Sequence, residues 1–305
     1  VSRIRLEAGS VPFPGLKLIQ LRGRGGFAEV WEAESPHGER IAVKFMLSRN
    51  SSSSVKEMRI IQAVQKLCHR HLLRISDVLS IPDYIVVAME LADGSLLDLL
   101  DVYQTEYNSP LPAVLAAGYL KQAALGLDFL NSRRHLFDGR QVGFMHCDVK
   151  PSNLLVIGET IKLADFGLCN PLVDRQGNCA RAGTLDFAPP EVHRGQLSET
   201  SDQYSLAVTY YHLRTGQFPF PHPTGGFNRA YSYSRPAPDL SLIHCGERRV
   251  LERALDLESH NRFPSCVAFA KAMNDVVSGP EFSAADTSAE MRVPDSVVRA
   301  GSRHS

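Results

Sequence analysis

The stretch "HCDVKPSNLLVIGETIKLADFG", residues 146–167, decides how the whole chain is read. "LLVI" (154–157) and "IKLA" (161–164) are short apolar runs of strand character, and "GET" between them is a turn. A hairpin returns its two ends side by side. Asn153, just before the hairpin, and Asp165, just after it, are therefore expected to face one space. An amide oxygen and a carboxylate are hard ligands suited to Mg²⁺. Asp148 and Lys150 lie immediately upstream on the same loop. One carboxylate to orient a hydroxyl, one ammonium for a phosphate and two metal ligands are the parts that phosphoryl transfer needs. A lone His-x-Asp is common in loops. The joint spacing of Asp148, Lys150, Asn153 and Asp165, with Phe-Gly after it, is far more restrictive.

Outward from this centre, the chain divides in two. Upstream, "LKLIQLRG", "AEVWEAES" and "RIAVKFML" alternate with Gly and Ser-rich turn signals and read as three antiparallel strands. Met58, Ile61 and Val64 recur at helical spacing within "VKEMRIIQAVQKL". "LLRISDVLSI" and "YIVVAMEL" add two more strands. From Gly94 onward long helical patterns dominate, through Leu120, Ala124, Leu127 and Leu130, then 201–215 and 248–257. "ELADGS" marks the change and reads as a hinge. The fold class expected is α+β, a small antiparallel sheet with one helix followed by a larger, mainly helical lobe. The expected divisions are an N-terminal extension (1–15), a first lobe (16–90), a second lobe (91–275) and a disordered tail (276–305).

Composition narrows the function classes. The 305 residues carry 33 basic and 33 acidic side chains, so no whole-chain basic footprint for nucleic acid exists. The six cysteines form no Cys-x-x-Cys pair, which argues against a zinc ribbon, and their scatter fits reduced thiols in the cytoplasm. "CHRHLL" offers Cys68, His69 and His71, but the spacing is too tight for one ion and reads as a loop after the helix. No apolar run is read as a membrane span, because the most apolar helical stretch, 113–130, contains Lys121, Gln122 and Asp128. Val1 is not a start Met, and the chain is read as the cytoplasmic part of a longer protein whose oligomeric state the sequence does not fix.

With these motifs in view, residues 16–275 resemble the catalytic domain of the eukaryotic-like, Hanks-type serine/threonine protein kinases. "HCDVKPSN" is similar to the catalytic loop and "DFG" (165–167) to the metal-binding motif. The resemblance implies ATP and Mg²⁺ as cofactors and a protein bearing a Ser or Thr acceptor as partner. It assigns Asp148 to the acceptor hydroxyl, Lys150 to the γ-phosphate, and Asn153 and Asp165 to the metal. "GRGGFAEV" (23–30) resembles the Gly-rich loop over the phosphates, giving Gly23, Arg24, Gly25, Gly26 and Val30 to nucleotide, with Ala28 where a third Gly is usual. "IAVK" places Ala42 and Lys44 on the third strand, and Glu57 matches the residue that pairs with Lys44. Met89, Glu90 and Leu91 match the adenine pocket, Ser95 a ribose contact, and Leu155 a further nucleotide contact.

"GTLDFAPPE" (183–191) resembles the end of the activation segment, with Pro189 in place of Ala. Thr184 is expected to hydrogen-bond Asp148 and Lys150, Glu191 to pair with Arg262, and Asp202 to hold the catalytic-loop backbone. Lys150-Pro151 matches the Ser/Thr-specific form, and "NRFPSCVAFAKAM" is most similar to bacterial members.

Most of the family carries Arg where Cys147 stands, to pair with an activation-segment phosphate. Cys147 carries no charge, and residues 168–183 contain no Ser, Thr or Tyr. Both features imply activity without activation-loop phosphorylation. A carboxylate neighbour disfavours a Cys147 thiolate, so packing is its expected role, and Cys169 and Cys179 are the better sensor candidates. The rival readings are a scaffold that binds nucleotide without transfer and a small-molecule kinase of related fold. The connector 221–239 reads as a plain surface connection.

Overall fold

The computed structural model describes residues 6–26, 28–48, 52–173, 176–178, 184–221 and 235–283. The chain forms two compact units, one of residues 1–68 with 72–92, the other of residues 69–71 with 93–305. The expected division at residue 90 thus falls two residues early, and 69–71 belong to the second unit.

In the first unit, β1 (Lys17–Arg24), β2 (Ala28–Glu34), β3 (Arg40–Leu47), β4 (Ile75–Ile81) and β5 (Tyr84–Glu90) form one antiparallel sheet in the order β1-β2-β3-β5-β4. Helix α1 (Ser52–Gln65) follows β3 and packs on β4. Side chains alternate across the sheet, and this sorts them by role. One face carries Leu18, Trp31, Ala33, Val43, Phe45 and Val86, all buried, with Leu6 and Phe13 of the N-terminal extension packed on them. Phe13 stacks on Phe45 at 6.4 Å between ring centroids. The register pairs Gly23 with Val30, Val30 with Lys44, and Ala42 with Met89. Those five residues therefore share the opposite face, which the apolar cluster leaves clear.

The second unit begins with β6 (Gly94–Ser95), α2 (Leu96–Tyr107) and α3 (Ala113–Asn131). A hairpin, β7 (His135–Phe137) and β8 (Arg140–Met145), leads into the loop at His146. A one-turn helix at Pro151–Asn153 precedes β9 (Leu154–Ile157) and β10 (Thr160–Leu163). Then come β11 (Asn170–Leu172), β12 (Gln176–Asn178), α4 (Pro190–His193), β13 (Gln196–Ser198) and α5 (Ser201–Thr215). Helices α6 (Cys245–Ala254), α7 (Cys266–Val277) and α8 (Pro280–Ser283) complete the described residues.

Twelve of the 15 residues of α5 are buried, so this helix is core on every side. By length and composition α3 is apolar enough to cross a bilayer, against the expectation from its Lys and Asp; ten of its 19 residues are buried, and it packs on α5 and α7 as a core helix of this unit. A Cβ at Gly126 of α3 would lie 2.7 Å from the His71 carbonyl, so only glycine allows residues 69–71 to lie on the helix. His71 is buried and its Nδ1–H donates to Ile161 O at 2.9 Å, while His69 stacks on Phe129 at 4.6 Å. The histidines of "CHRHLL" thus anchor a loop, and among the described residues no cluster of His, Cys, Asp and Glu forms a metal site.

The disorder expected from residue 276 onward needs correction over its first part. Helix α7 runs to Val277, and Phe282 is 4% exposed with its ring 4.7 Å from that of His244. One aromatic side chain with a pocket to fill outweighs the thinning of apolar residues around it. The rest of the expected tail, 284–305, lies outside the described residues.

Candidate active site

The loop from His146 to Asn153 is fixed from beneath by α5. Asp202, 1% exposed, accepts the backbone N–H groups of His146 (2.7 Å) and Cys147 (3.0 Å) and the Asn131 amide (2.9 Å). This is the role the sequence assigned to it. Asn131 was not foreseen; as the last residue of α3, nothing in its surroundings distinguishes it from an ordinary helix end. Cys147 sits in the left-handed region at φ +66°. A side chain there costs about 1–2 kcal/mol, and the two N–H bonds to Asp202 hold it in place. The Cys147 side chain packs against Met145, Leu172, Ala188, Val192 and Leu197, as expected of a packing residue.

His146 is fully buried and joins the loop to the hairpin. Its Nε2–H donates to Ala164 O at 2.9 Å and its Nδ1 accepts from Asp148 N at 3.3 Å, which places the ring proton on Nε2. The Phe166 ring lies edge-on to it at 5.6 Å.

Asp148 is 8% exposed and its carboxylate contacts three neighbouring residues. Oδ1 accepts from Thr184 N (3.0 Å) and Thr184 Oγ1 (3.1 Å). Oδ2 meets Lys150 Nζ (2.9 Å) and Asn153 Nδ2 (2.8 Å). Lys150 Nζ in turn donates to Thr184 Oγ1 at 2.7 Å. Asp148, Lys150, Asn153 and Thr184 thus form one hydrogen-bonded group.

The hairpin forms as its two apolar runs and the turn between them predicted, with Leu154 opposite Leu163 and Ile157 opposite Thr160. Ala164 N donates to Asn153 O at 2.9 Å, continuing the ladder one step and leaving Asp165 next to Asn153. Asp165 has φ +64° and starts a one-turn helix, Phe166–Leu168. Asn153 directs its Nδ2 to both the carbonyl and the carboxylate of Asp148, at 2.8 Å each, so its Oδ1 points away from them.

The first unit holds the other expected contacts. Gly25 N donates to Ala28 O at 2.8 Å, closing the glycine turn, and Arg24 pairs with Glu29 at 3.0 Å. A Cβ at Gly23 or Gly26 would meet nothing within 4 Å, and at Gly25 only Ala28 O at 3.8 Å. None of the three has a positive φ. The chain's own structure therefore gives no reason for glycine here. Lys44 is half-buried on β3, and Glu57 is half-buried on α1. Met89 and Glu90 end β5, and Glu90 N donates to Arg74 O at 3.1 Å; Leu91 follows, half-buried.

Ser95 has a structural role. It is 6% exposed and is the N-cap of α2: its Oγ accepts from Asp98 N at 3.2 Å, and both its Oγ–H and its N–H donate to Asp98 Oδ2 at 2.7 Å. A reciprocal capping box uses the hydroxyl's proton and one of its two lone pairs, so Ser95 serves the helix whatever else it contacts. Leu155 is half-buried on β9, between Ser95 on β6 and Lys162 on β10. Cys169 is corrected: it is 3% exposed, and burial, with the charges of Asp202, Asp165 and Asp148, pushes its thiol well above the usual range. Such a thiol is inert as a sensor. Cys179 lies outside the described residues.

The segment after Asp165 is tied down by backbone pairing. β11 pairs with β8, and β12 with β13, with Gly177 opposite Leu197. Further on, Arg262 grips Glu191 through two bonds of 2.8 Å, both residues buried. Ser198 and Ser201 hydroxyls add bonds of 2.9 Å to the same carboxylate. Burial raises the Glu191 carboxyl, but the bonds and charge of Arg262, helped by Ser201, outweigh it and hold the group below its usual range.

Comparison with known proteins agrees with this geometry. The protein kinase domain profile matches residues 16–241. Serine/threonine-protein kinase PknF of Mycobacterium tuberculosis is 29% identical over 294 residues, covering 90% of this chain and 58% of that protein. Serine/threonine-protein kinases PknA of Corynebacterium glutamicum is 28% identical, covering 90% and 59%. Serine/threonine-protein kinase A of Synechocystis is 29% identical, covering 73% and 45%. The chain therefore spans somewhat over half the length of the first two of these relatives.

Proposed function

The chain belongs to the protein kinase domain family, and from that premise we propose that it transfers the γ-phosphate of ATP to Ser and Thr hydroxyls of a protein substrate. The observation that carries the reading is the hydrogen-bonded group of Asp148, Lys150, Asn153 and Thr184. Asp148 orients the acceptor hydroxyl and takes its proton, and Lys150 neutralises the transferring phosphoryl group. Thr184 is bonded to both, and its match to the Ser/Thr-specific members, with that of Lys150-Pro151, favours a Ser/Thr acceptor over Tyr.

Asn153 Oδ1 and Asp165 are the residues to hold Mg²⁺, and an amide oxygen beside a carboxylate fits a hard cation. When bound, that ion neutralises phosphate charge. The shared face of Gly23, Val30, Ala42, Lys44 and Met89 is the nucleotide surface, with Lys44 on the α- and β-phosphates and Glu57 orienting it. The glycines of the turn, unexplained by the chain's own packing, leave room for phosphates. Because Glu90 N is engaged by Arg74, adenine pairing falls to the Glu90 carbonyl and to Leu91. ATP places the reaction in the cytoplasm.

Activity does not require activation-loop phosphorylation. Two backbone pairings and the apolar contacts of Cys147 supply the order that a phosphate–Arg pair supplies elsewhere. Phosphatase treatment of fresh protein is expected to leave the rate unchanged. A loss of about ten-fold, which is about 1.4 kcal/mol in barrier, traced to residues 168–184, contradicts this part.

The central test incubates the chain with labelled ATP, Mg²⁺ and a generic basic protein, beside an Asp148→Asn control. Transfer to Ser or Thr that vanishes in the control supports the kinase. ATP binding without transfer supports a scaffold, a reading that the names of the relatives do not favour. Transfer to small molecules alone refutes a protein acceptor.

A further inference from the structure

The turn that follows Thr184 is held by a residue from a distant part of the chain. Thr184 O accepts from Phe187 N at 3.0 Å and Leu185 O from Ala188 N at 3.2 Å, so the segment turns tightly. Leu185 is left 39% exposed beside the residue that bonds Asp148 and Lys150, while Phe187 and Ala188 are buried. The carbonyls of Leu185, Asp186 and Ala188 converge on one nitrogen. Arg235 Nη2 donates to all three, at 3.0, 3.0 and 2.5 Å. Arg235 is 6% exposed, and its guanidinium lies 4.3 Å from the centroid of the Phe220 ring. Phe220 stacks on Tyr204 at 6.3 Å, and the Arg262 guanidinium lies 4.8 Å from the centroid of the Tyr204 ring. A column Arg235–Phe220–Tyr204–Arg262 thus connects this turn to the buried Glu191–Arg262 pair.

We infer that Arg235 is a positioning residue for the protein substrate, fixing the Thr184–Ala188 turn against which the acceptor segment docks. The inference rests on the kinase reading above and concerns the same site. A charged fork is suited to the task, since carbonyls turned away from water need donors and a cation offers strong ones. A turn bonded at three of its carbonyls presents Leu185 and Thr184 at one spacing. Without the clamp the carbonyls seek water and the turn opens, so the substrate meets a surface that must first be ordered. Thr184 remains tied to Asp148 and Lys150, so ATP binding is unaffected.

The test uses the full chain and two variants, Arg235→Met and Arg235→Lys, with myelin basic protein as acceptor and its KM and that of ATP measured separately. Arg235→Met keeps a long apolar stem against Phe220 and removes every donor. It is expected to raise the acceptor KM about 10-fold or more, as the loss of a charge-assisted bond implies, with the ATP KM within about 2-fold. Arg235→Lys keeps the charge but lacks the planar fork, and is expected to fall between the wild type and Arg235→Met. A residue that only holds the fold together lowers the active fraction, so Vmax drops while both KM values stay. That pattern, or an unchanged acceptor KM in a folded variant, overturns the inference. Where the Met variant does not fold, the acceptor KM of the Lys variant decides. Failure of the wild type to phosphorylate any protein refutes the kinase reading itself, a separate outcome from either pattern.

Discussion

Asp202→Asn tests whether the catalytic loop is held by a buried carboxylate acting against backbone strain. Oδ1 of Asp202 accepts from Cys147 N, and Oδ2 accepts from both His146 N and Asn131 Nδ2. An amide retains one acceptor oxygen. Placed at the Oδ2 position it keeps two bonds, now neutral, and sets its NH₂ against the Cys147 N–H. A hydrogen bond to a charged group contributes about 1.5–3 kcal/mol, and an orphaned buried N–H costs about 1–3 kcal/mol. Allowing for the surviving bonds, the loss is about 2–4 kcal/mol, against a total stability of about 5–15 kcal/mol for a typical domain. Function suffers more than stability does. Cys147 at φ +66° is released from the bond that held it, and Asp148 is the next residue along the chain. A displacement near 1 Å at a reacting group costs about 100-fold in rate.

The assay is a urea melt beside the transfer rate, with Cys147→Gly added in the same background. Glycine removes the left-handed penalty of about 1–2 kcal/mol and should recover part of the rate. Wild-type rate and urea midpoint in Asp202→Asn refute the reasoning. So does a Cys147→Gly addition that recovers nothing.

Four further outcomes follow from named contacts. Arg262→Ala leaves Glu191 buried and unpaired and is expected to destabilise by about 3–5 kcal/mol. Because the folded Glu191 carboxyl titrates below its unfolded value, its stabilisation is complete above the usual Glu range near 4.3 and is lost as pH falls through the depressed value; urea midpoints of Glu191→Gln should show less acid loss than wild type, and equal slopes contradict this. Gly26→Ala meets no atom of the chain, so its thermal midpoint should hold or rise slightly, by up to about 1 kcal/mol in stability, while its ATP KM increases; an unchanged KM refutes a ligand reason for the glycine. Among the described cysteines, Cys68 and Cys245 are exposed, whereas Cys169 and Cys266 are buried with thiols pushed well above the usual range by burial; mass-resolved thiol labelling should modify the first two in native protein and the second two only in denaturant.

What the sequence made legible depended on whether side chains or backbone carry each contact. The Asn153–Asp165 approach was readable because two short apolar runs joined by a turn form a hairpin, and a hairpin returns its ends side by side. The buried Glu191–Arg262 pair and the Asp202 anchor came with the family resemblance, since each is a charged side chain at a recognisable place. Arg235 was hidden because its partners are three carbonyls, which every residue possesses. The β12–β13 pairing was hidden for a related reason, as three residues such as Gln-Gly-Asn carry no alternation to read. The capping role of Ser95 went unread although its signal was present. Ser-x-x-Asp before an apolar run is a capping box, local chemistry that stood readable beside the ribose role borrowed by resemblance. Cys147 combines both kinds of legibility. Its missing charge was visible at once, but its reason was not, because the five apolar residues around it come from β8, β11, the turn before α4, α4 itself and β13. The residue that removes a phosphate's partner is the same residue that fills the space between those elements. Arg at this position would therefore place a charge against the cluster that holds Leu172 and Val192, and the apolar contact made by the thiol would be lost.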